Sequence, residues 1–143
     1  MKVSVFKQIV GRRNYSFAEF VTLTHPEFTR YFTLFYSPFR KTVPSTIDTL
    51  LTNPLSLAIW FMDDGSAEYA GASLQTHSFT RKEVDSLIDV IGRNFGIDAN
   101  KRLNKGRWII YFPKASMSKL QGAIGPYVLE DFKYKFNSYS KRV

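Results

Sequence analysis

Two adjacent carboxylates, Asp63 and Asp64, close an otherwise apolar stretch, "NPLSLAIWFMDDG". Asn53 is a good N-cap and Pro54 suits the first helical position, so the stretch predicts a helix over 54–64, with Gly65 as its stop. A helix C-terminus carries partial negative charge, and acids there cost from a few tenths to about 1 kcal/mol. Neighbouring carboxylates also repel each other. Solvated or salt-bridged acids at an exposed helix end would account for the pair. So would a divalent metal site: Mg²⁺ takes hard oxygen ligands, often only one or two protein carboxylates, and completes its shell with water and phosphate oxygens. A cation there would reverse the local electrostatics.

The body of this helix is apolar nearly all round and should be buried on most sides. Ala58, Phe61, Met62 and Gly65 recur at helical spacing on one stripe. The small residues at 58 and 65 would admit a close neighbour, so the stripe is expected to face a second copy or another chain.

The surrounding elements follow from pattern. "KVSVFKQIV" and "YSFAEFVTLT" read as a β-hairpin turning at "GRRN". "HPEFTRYFTLFY" reads as a helix entered through Pro26, with Phe28, Tyr31, Phe32 and Phe35 at helical spacing and expected in the core. Ser45 to Leu51 suggest one or two helical turns. Residues 67 to 79 suggest two short strands around Gly71. "TRKEVDSLIDVIGRNFG" opens with a capping box, Thr80 to Glu83, presents Val84, Leu87, Ile88 and Ile91 on one face, and stops at Gly96. "DANKRLNKGRWIIYFP" is a second hairpin, and "SMSKLQGAIGPYV" a helix interrupted near Gly125-Pro126. "SFAEFVTLTHPEFTRYFTLFYSPFRK" and "RWIIYFPKASMSKLQGAIGPYVLEDFKYK" share one grammar of strand, helix and basic pair, as if part of one unit preceded a complete one.

Composition sets the partners. The 143 residues suit a single domain with an appendage. A net charge of +8 favours a polyanionic partner, because the cations are segregated. Residues 1–18 hold Lys2, Lys7, Arg12 and Arg13 without an acid, and residues 99–129 hold six cations without one. With no cysteine, disulfides and thiolate metal sites are excluded. No apolar run approaches the length of a membrane span, and no signal peptide is evident.

"LAIWFMDDG", Leu57 to Gly65, resembles the nine-residue motif of the LAGLIDADG homing endonucleases. The flanking "FVTLTHPEFTRYFTLFY", "KTVPSTIDTLLTNPLSLAIWFMDDGS", "LQTHSFTRKEV" and the late "YKF" are similar to the single-chain branch with tryptophan in its second motif. The resemblance covers nearly the whole chain and matches that branch's C-terminal part. It implies an α+β fold, an αββαββα unit with a saddle-shaped antiparallel sheet. Residues 47–143 would form that unit, and residues 1–46 a partial first unit of hairpin plus helix. It implies that Asp64, with Asp63 secondary, binds Mg²⁺ or Mn²⁺ between scissile phosphates. Gln75 would hold water (Thr76 or His77 if the register slips), Lys135, with Lys133 beside it, would polarise the site, and Lys41 would take the corresponding place in the partial unit. Leu57, Ala58, Phe61 and Gly65 would form the helix–helix contact. Arg12, Arg13, Lys101, Arg102, Lys105 and Arg107 would meet phosphates or guanine edges.

The resemblance further implies a site-specific, metal-dependent DNA endonuclease, or a fragment or subunit of one. Single-chain members carry two motif helices and this chain carries one. A homodimer or a separately encoded half would supply the other. The alternative is a non-catalytic RNA-binding protein on the same fold, such as a group I intron maturase or a component of an organellar ribosome. An intron-encoded chain would work in a mitochondrion or chloroplast, and otherwise in the cytoplasm.

Overall fold

A computed structural model describes residues 2–10, 13–38 and 40–137, with side chains from residue 21 onward. The chain divides into two compact units, Met1–Thr33 and Leu34–Val143. In the first, β1 (Lys2–Val10) and β2 (Arg13–Val21) pair antiparallel from Lys2↔Val21 to Val10↔Arg13. Helix α1 (Pro26–Phe35) follows. Its aromatic stripe departs from expectation. Phe28, Tyr31 and Phe32 are exposed, and only Phe35 packs against a core. Spacing places side chains on one face of a helix but does not say what covers that face.

The second unit follows the order α, β, β, α, β, β, α. A short β3 (Tyr36–Ser37), β4 (Arg40–Lys41) and α2 (Ile47–Leu50) lead into α3 (Pro54–Asp64). Then come β5 (Gly65–Glu68), β6 (Gly71–Leu74), α4 (Arg81–Phe95), β7 (Asn100–Asn104), β8 (Arg107–Pro113) and α5 (Met117–Ile124). A 3-10 segment, Glu130–Phe136, returns to α3. The four strands form one antiparallel sheet in the order β5-β6-β8-β7.

Local chemistry sets the boundaries. The Asn53 side chain accepts from Leu55 N at the start of α3. Thr80 and Glu83 form the reciprocal capping box of α4, and Gly96 ends it in the left-handed region. Lys105 and Gly106 both have positive φ between Asn104 and Arg107, the requirement of a tight two-residue hairpin turn. Glu83 also receives both guanidinium nitrogens of Arg40 at 3.1 Å and the Val43 amide at 3.2 Å. This clamp, with Phe35 and Val43 packed on the core, joins the segment after α1 to the second unit. The division into compact units falls at 33/34, within α1.

Leu57, Ala58 and Phe61 are fully buried, packed with Ala72, Leu74, Ile110 and Phe112 of the sheet and Leu120 and Ile124 of α5. Those three residues, with buried Gly65, serve the chain's own core. The face of α3 left open carries Leu55 (42% exposed), Ser56, Ile59 (56% exposed) and Asp63. An apolar helix has no sharp polar edge in its sequence, so periodicity could not say which stripe points inward.

Candidate functional site

The last carbonyls of a helix lack intrahelical partners, and at the end of α3 every one of them is met. Phe61 O accepts from Gly65 N. Met62 O and Asp63 O accept from Lys135 Nζ at 2.5 and 3.3 Å. Asp64 O accepts from Gln75 N at 3.0 Å. Lys135 thus arrives from the final 3-10 segment as a side-chain cap, with only 7% of its surface exposed. Phe136 beside it stacks on Phe61 at 5.2 Å, and Leu129 N donates to Met62 Sδ at 3.4 Å. Gly65 is required by the same crowding, because a Cβ there would collide with Phe61 O and the Phe61 ring.

The electrostatics answer the question posed by two acids at a negative helix end. Lys135 supplies the cation that the helix terminus favours. Burial lowers its pKa, while Asp63 and Asp64 pull it back up. Asp64 is half-buried, and its Oδ2 accepts from Trp60 Nε1, one helical turn earlier, at 3.2 Å. Asp63 is exposed. Trp60 was not anticipated as part of this arrangement, although the i, i+4 spacing of an indole donor and a carboxylate was visible in the sequence.

Gln75 leaves the end of β6 beside Asp64. Its Nε2 donates to Ser73 Oγ at 3.1 Å. Its Oε1 is buried without a hydrogen-bond partner. An orphaned buried oxygen costs roughly 1–3 kcal/mol, so it marks a place for an ordered water or cation. Thr76 donates its hydroxyl to Trp108 O, and His77 is exposed. Among the described residues no group of three His, Cys, Asp or Glu side chains converges. The donors at this helix end are instead few and all oxygen, the set that suits a hard, largely hydrated cation.

The structure brings Asp63, Asp64, Gln75 and Lys135 together at one helix end and leaves Lys41 apart. Lys41 is exposed on β4, next to the Arg40–Glu83 clamp. In that clamp burial would raise the Glu83 pKa, but hydrogen bonds from Arg40, Thr80 and Val43 outweigh it and hold it at about 2.

The basic hairpin divides. Lys101 lies on the helix side of β7, opposite Ile110, and grips Asp85 of α4 at 2.5 and 2.8 Å. Facing α4, it is not part of the open face of the sheet. Arg102 lies on that open face, 2.8 Å from Glu68. Lys105 and Arg107 are exposed at the turn. Arg12 lies outside the described residues, and of Arg13 only the backbone, at the start of β2, is described.

Comparison with known proteins adds an independent line. Residues 1–120 match the family model described as "LAGLIDADG DNA endonuclease family". The chain is similar to a protein named cytochrome b mRNA maturase bI2 of Debaryomyces hansenii, 33% identical over 123 residues, covering 85% of this chain and 47% of that protein. It is likewise similar to an intron-encoded endonuclease named ai4 of Dictyostelium discoideum, 33% identical over 119 residues, covering 82% and 75%. Among solved structures, a homing endonuclease, I-WcaI, bound to its DNA recognition sequence matches with a TM-score of 0.83 at 23% identity, over 98% of this chain and 66% of that one. At that identity the likeness establishes the fold. The chain spans only 47%, 24% and 52% of three of the curated relatives it matches.

Proposed function

The chain belongs to the LAGLIDADG DNA endonuclease family, and from that premise we propose that it forms one half of a site-specific, divalent-metal-dependent DNA endonuclease. The observation that carries this reading is the convergence of Lys135 and Gln75 on the Asp63-Asp64 end of α3. Asp64, with Asp63 beside it and the orphan oxygen of Gln75, would hold Mg²⁺ or Mn²⁺. Bound there, the ion would activate water and steady the leaving 3′-oxygen of a phosphodiester.

The chain's own groups have separate roles. Trp60 fixes the rotamer of Asp64. Lys135 holds the helix end in place and offsets its charge. Gln75 would orient water through its unpartnered oxygen. Lys105 and Arg107 would meet backbone phosphates, with affinity falling steeply as salt rises. A second motif helix would dock along Leu55, Ser56 and Ile59. The apolar, exposed face of α3 supports that docking, since large exposed apolar patches mark interaction surfaces. The second helix would come from a homodimer partner, a separately encoded half or a further segment of a longer protein, and residues 1–46 would be the latter part of a first unit. The intron-derived names of relatives support an organellar setting.

The test is Mg²⁺-dependent nicking of plasmid DNA by wild type and Asp64→Asn, alone and with a chain supplying a second motif, alongside solution mass. Cleavage by wild type and its loss in Asp64→Asn are expected. A protein that stays monomeric and nicks nothing even with the second half supplied would sink the endonuclease reading. A second reading, a maturase-like RNA-binding protein without cleavage, is favoured by the name of the Debaryomyces relative. Binding of a structured intron RNA by a chain that does not cleave DNA would establish it.

A further inference from the structure

The helix side of the sheet carries two cations that the cleavage site does not use. Arg81 opens α4, and its guanidinium lies 5.5 Å from the centre of the Trp108 ring, within the roughly 6 Å reach of a cation–π contact. The acids that could have claimed it are taken. Asp85, one helical turn later, is held by Lys101 at 2.5 and 2.8 Å. Glu83 is occupied by Arg40, Thr80 and the Val43 amide. Arg81 and Lys82 are both exposed, and among the described residues neither enters an ion pair. Trp108 pairs across the hairpin with Leu103. Leu103 lies two residues beyond Lys101 on β7, and so on the same side of the sheet. Trp108 packs partly on the core, whereas Leu103 is 56% exposed. Beside them Arg107 Nη1 donates to His77 O at 3.4 Å, on the loop that enters α4. The surface is a small apolar floor, Leu103 with the open part of Trp108, bordered by cations whose charge no acid cancels.

We propose that this surface is a second binding site, for an unpaired stretch of RNA. One base stacks on the Arg81 guanidinium over Trp108, Leu103 meets the next base, and Lys82 takes a backbone phosphate. A duplex turns its phosphates outward and keeps the faces of its bases stacked inside, so it has nothing to set on an apolar floor. An unpaired strand offers flat base faces and phosphates together, and guanidinium planes and aromatic rings are the groups on which splayed bases stack. A guanidinium anchored over an indole and left exposed is open to a further flat group, which an ammonium would not be. His77 and Ser78, exposed on the loop that enters α4, supply polar groups for the 2′-hydroxyl that distinguishes RNA from DNA. The site shares no residue with the acidic end of α3, so it holds whether or not the chain cuts DNA.

Fluorescence anisotropy with labelled oligouridylate, oligothymidylate and a DNA duplex of equal length, each titrated with the full chain in low salt, tests this. Wild type should bind oligouridylate more tightly than oligothymidylate. Arg81→Ala should weaken oligouridylate binding by about 5- to 150-fold, the usual worth of one stacked base, and leave duplex affinity unchanged. Arg81→Lys keeps the charge without the plane and should not restore the loss. Lys82→Ala should lower the salt slope for the single strand by about 0.7, as for one phosphate contact. Leu103→Ser, at an exposed position, should cause a smaller loss with the urea midpoint unmoved. If Arg81→Ala weakens duplex and single strand alike, or Arg81→Lys binds as wild type does, Arg81 acts as a point charge and the stacking site is overturned. Tighter binding of oligothymidylate would assign the surface to DNA and overturn the choice of RNA. A wild type that binds the duplex but neither single strand would remove this site and leave the duplex-cleaving reading standing.

Discussion

At the end of α3, charges converge. Asp63, Asp64 and Lys135 crowd one helix terminus, and every carbonyl there has a donor. In the β7–β8 hairpin, charges disperse. Lys101 turns to Asp85 on the helix side, Arg102 crosses the open face to Glu68, and Lys105 and Arg107 alone remain at the tip. Both regions look equally charged in the sequence. One gathers opposite charges into a single rigid group, and the other assigns like charges to different tasks. A count of cations therefore overstates the surface available to a polyanion. Two of the four cations in this hairpin are already paired within the protein.

The sharpest way to break this contrast is Asp64→Asn. In an assembly that cleaves, nicking should fall by more than about 100-fold, beyond the 10- to 100-fold typical of losing a group that merely orients a ligand. Arg107→Ala should leave the cleavage rate at saturating DNA intact. Equal loss in both would erase the distinction between the regions.

Stability gives the next test. Lys135→Met keeps the aliphatic stem but leaves Met62 O and Asp63 O without their donor, so urea denaturation should show a loss of about 2 kcal/mol, within the range for stranded polar groups. Lys101→Met breaks a partly exposed ion pair and should cost about 1 kcal/mol or less. Similar losses would show that the helix end is no more integrated than the hairpin.

Trp60→Phe removes the hydrogen bond to Asp64 and preserves most of the packing. Mn²⁺ titration should show affinity weakened by roughly 10-fold, near the low end for an orienting partner, with the urea midpoint almost unmoved. An unchanged affinity would mean that the indole does not orient the carboxylate.

The smallest effect is expected at the Arg40–Glu83 clamp. Hydrogen bonds from Arg40, Thr80 and Val43 hold the Glu83 carboxyl at about 2 in the fold, below its ordinary value of 4.5. Its pKa is depressed by folding, so its stabilisation is present above about pH 4.5 and fades as pH falls toward 2. Glu83→Gln should flatten the acid limb of stability in that window, and a limb as steep as that of wild type would exclude the clamp as a contributor.

The sequence made the element boundaries legible wherever one residue type has one physical reason to be there. Asn53 and Pro54 at a helix start, Thr80 with Glu83, and Gly96 past a helix end are of that kind. The gathering of Asp64, Gln75 and Lys135 was suggested by the motif and its flanks, not by spacing. The direction of each face was not legible. The aromatics of α1 and the apolar stripe of α3 have the right period, but a period is silent about what packs against it. Trp60 escaped notice because an indole in an apolar helix reads as bulk, and its one polar atom counts only once the fold places it. The ion pairs of Lys101 and Arg102 were not legible because their acids, Asp85 and Glu68, lie 16 and 34 positions away in the chain, beyond any local rule.

The hydrogen bond from Lys135 to Met62 joins residues 73 positions apart. A ribosome adding about 5–20 residues per second would take roughly 4 to 15 s to cover that distance. For that interval the nascent chain lacks the ammonium that meets Met62 O and Asp63 O and offsets the charge of Asp63 and Asp64. The acidic terminus is thus completed only by a segment made 73 residues later, and a chain interrupted before residue 135 would carry the motif in full without the lysine that secures it.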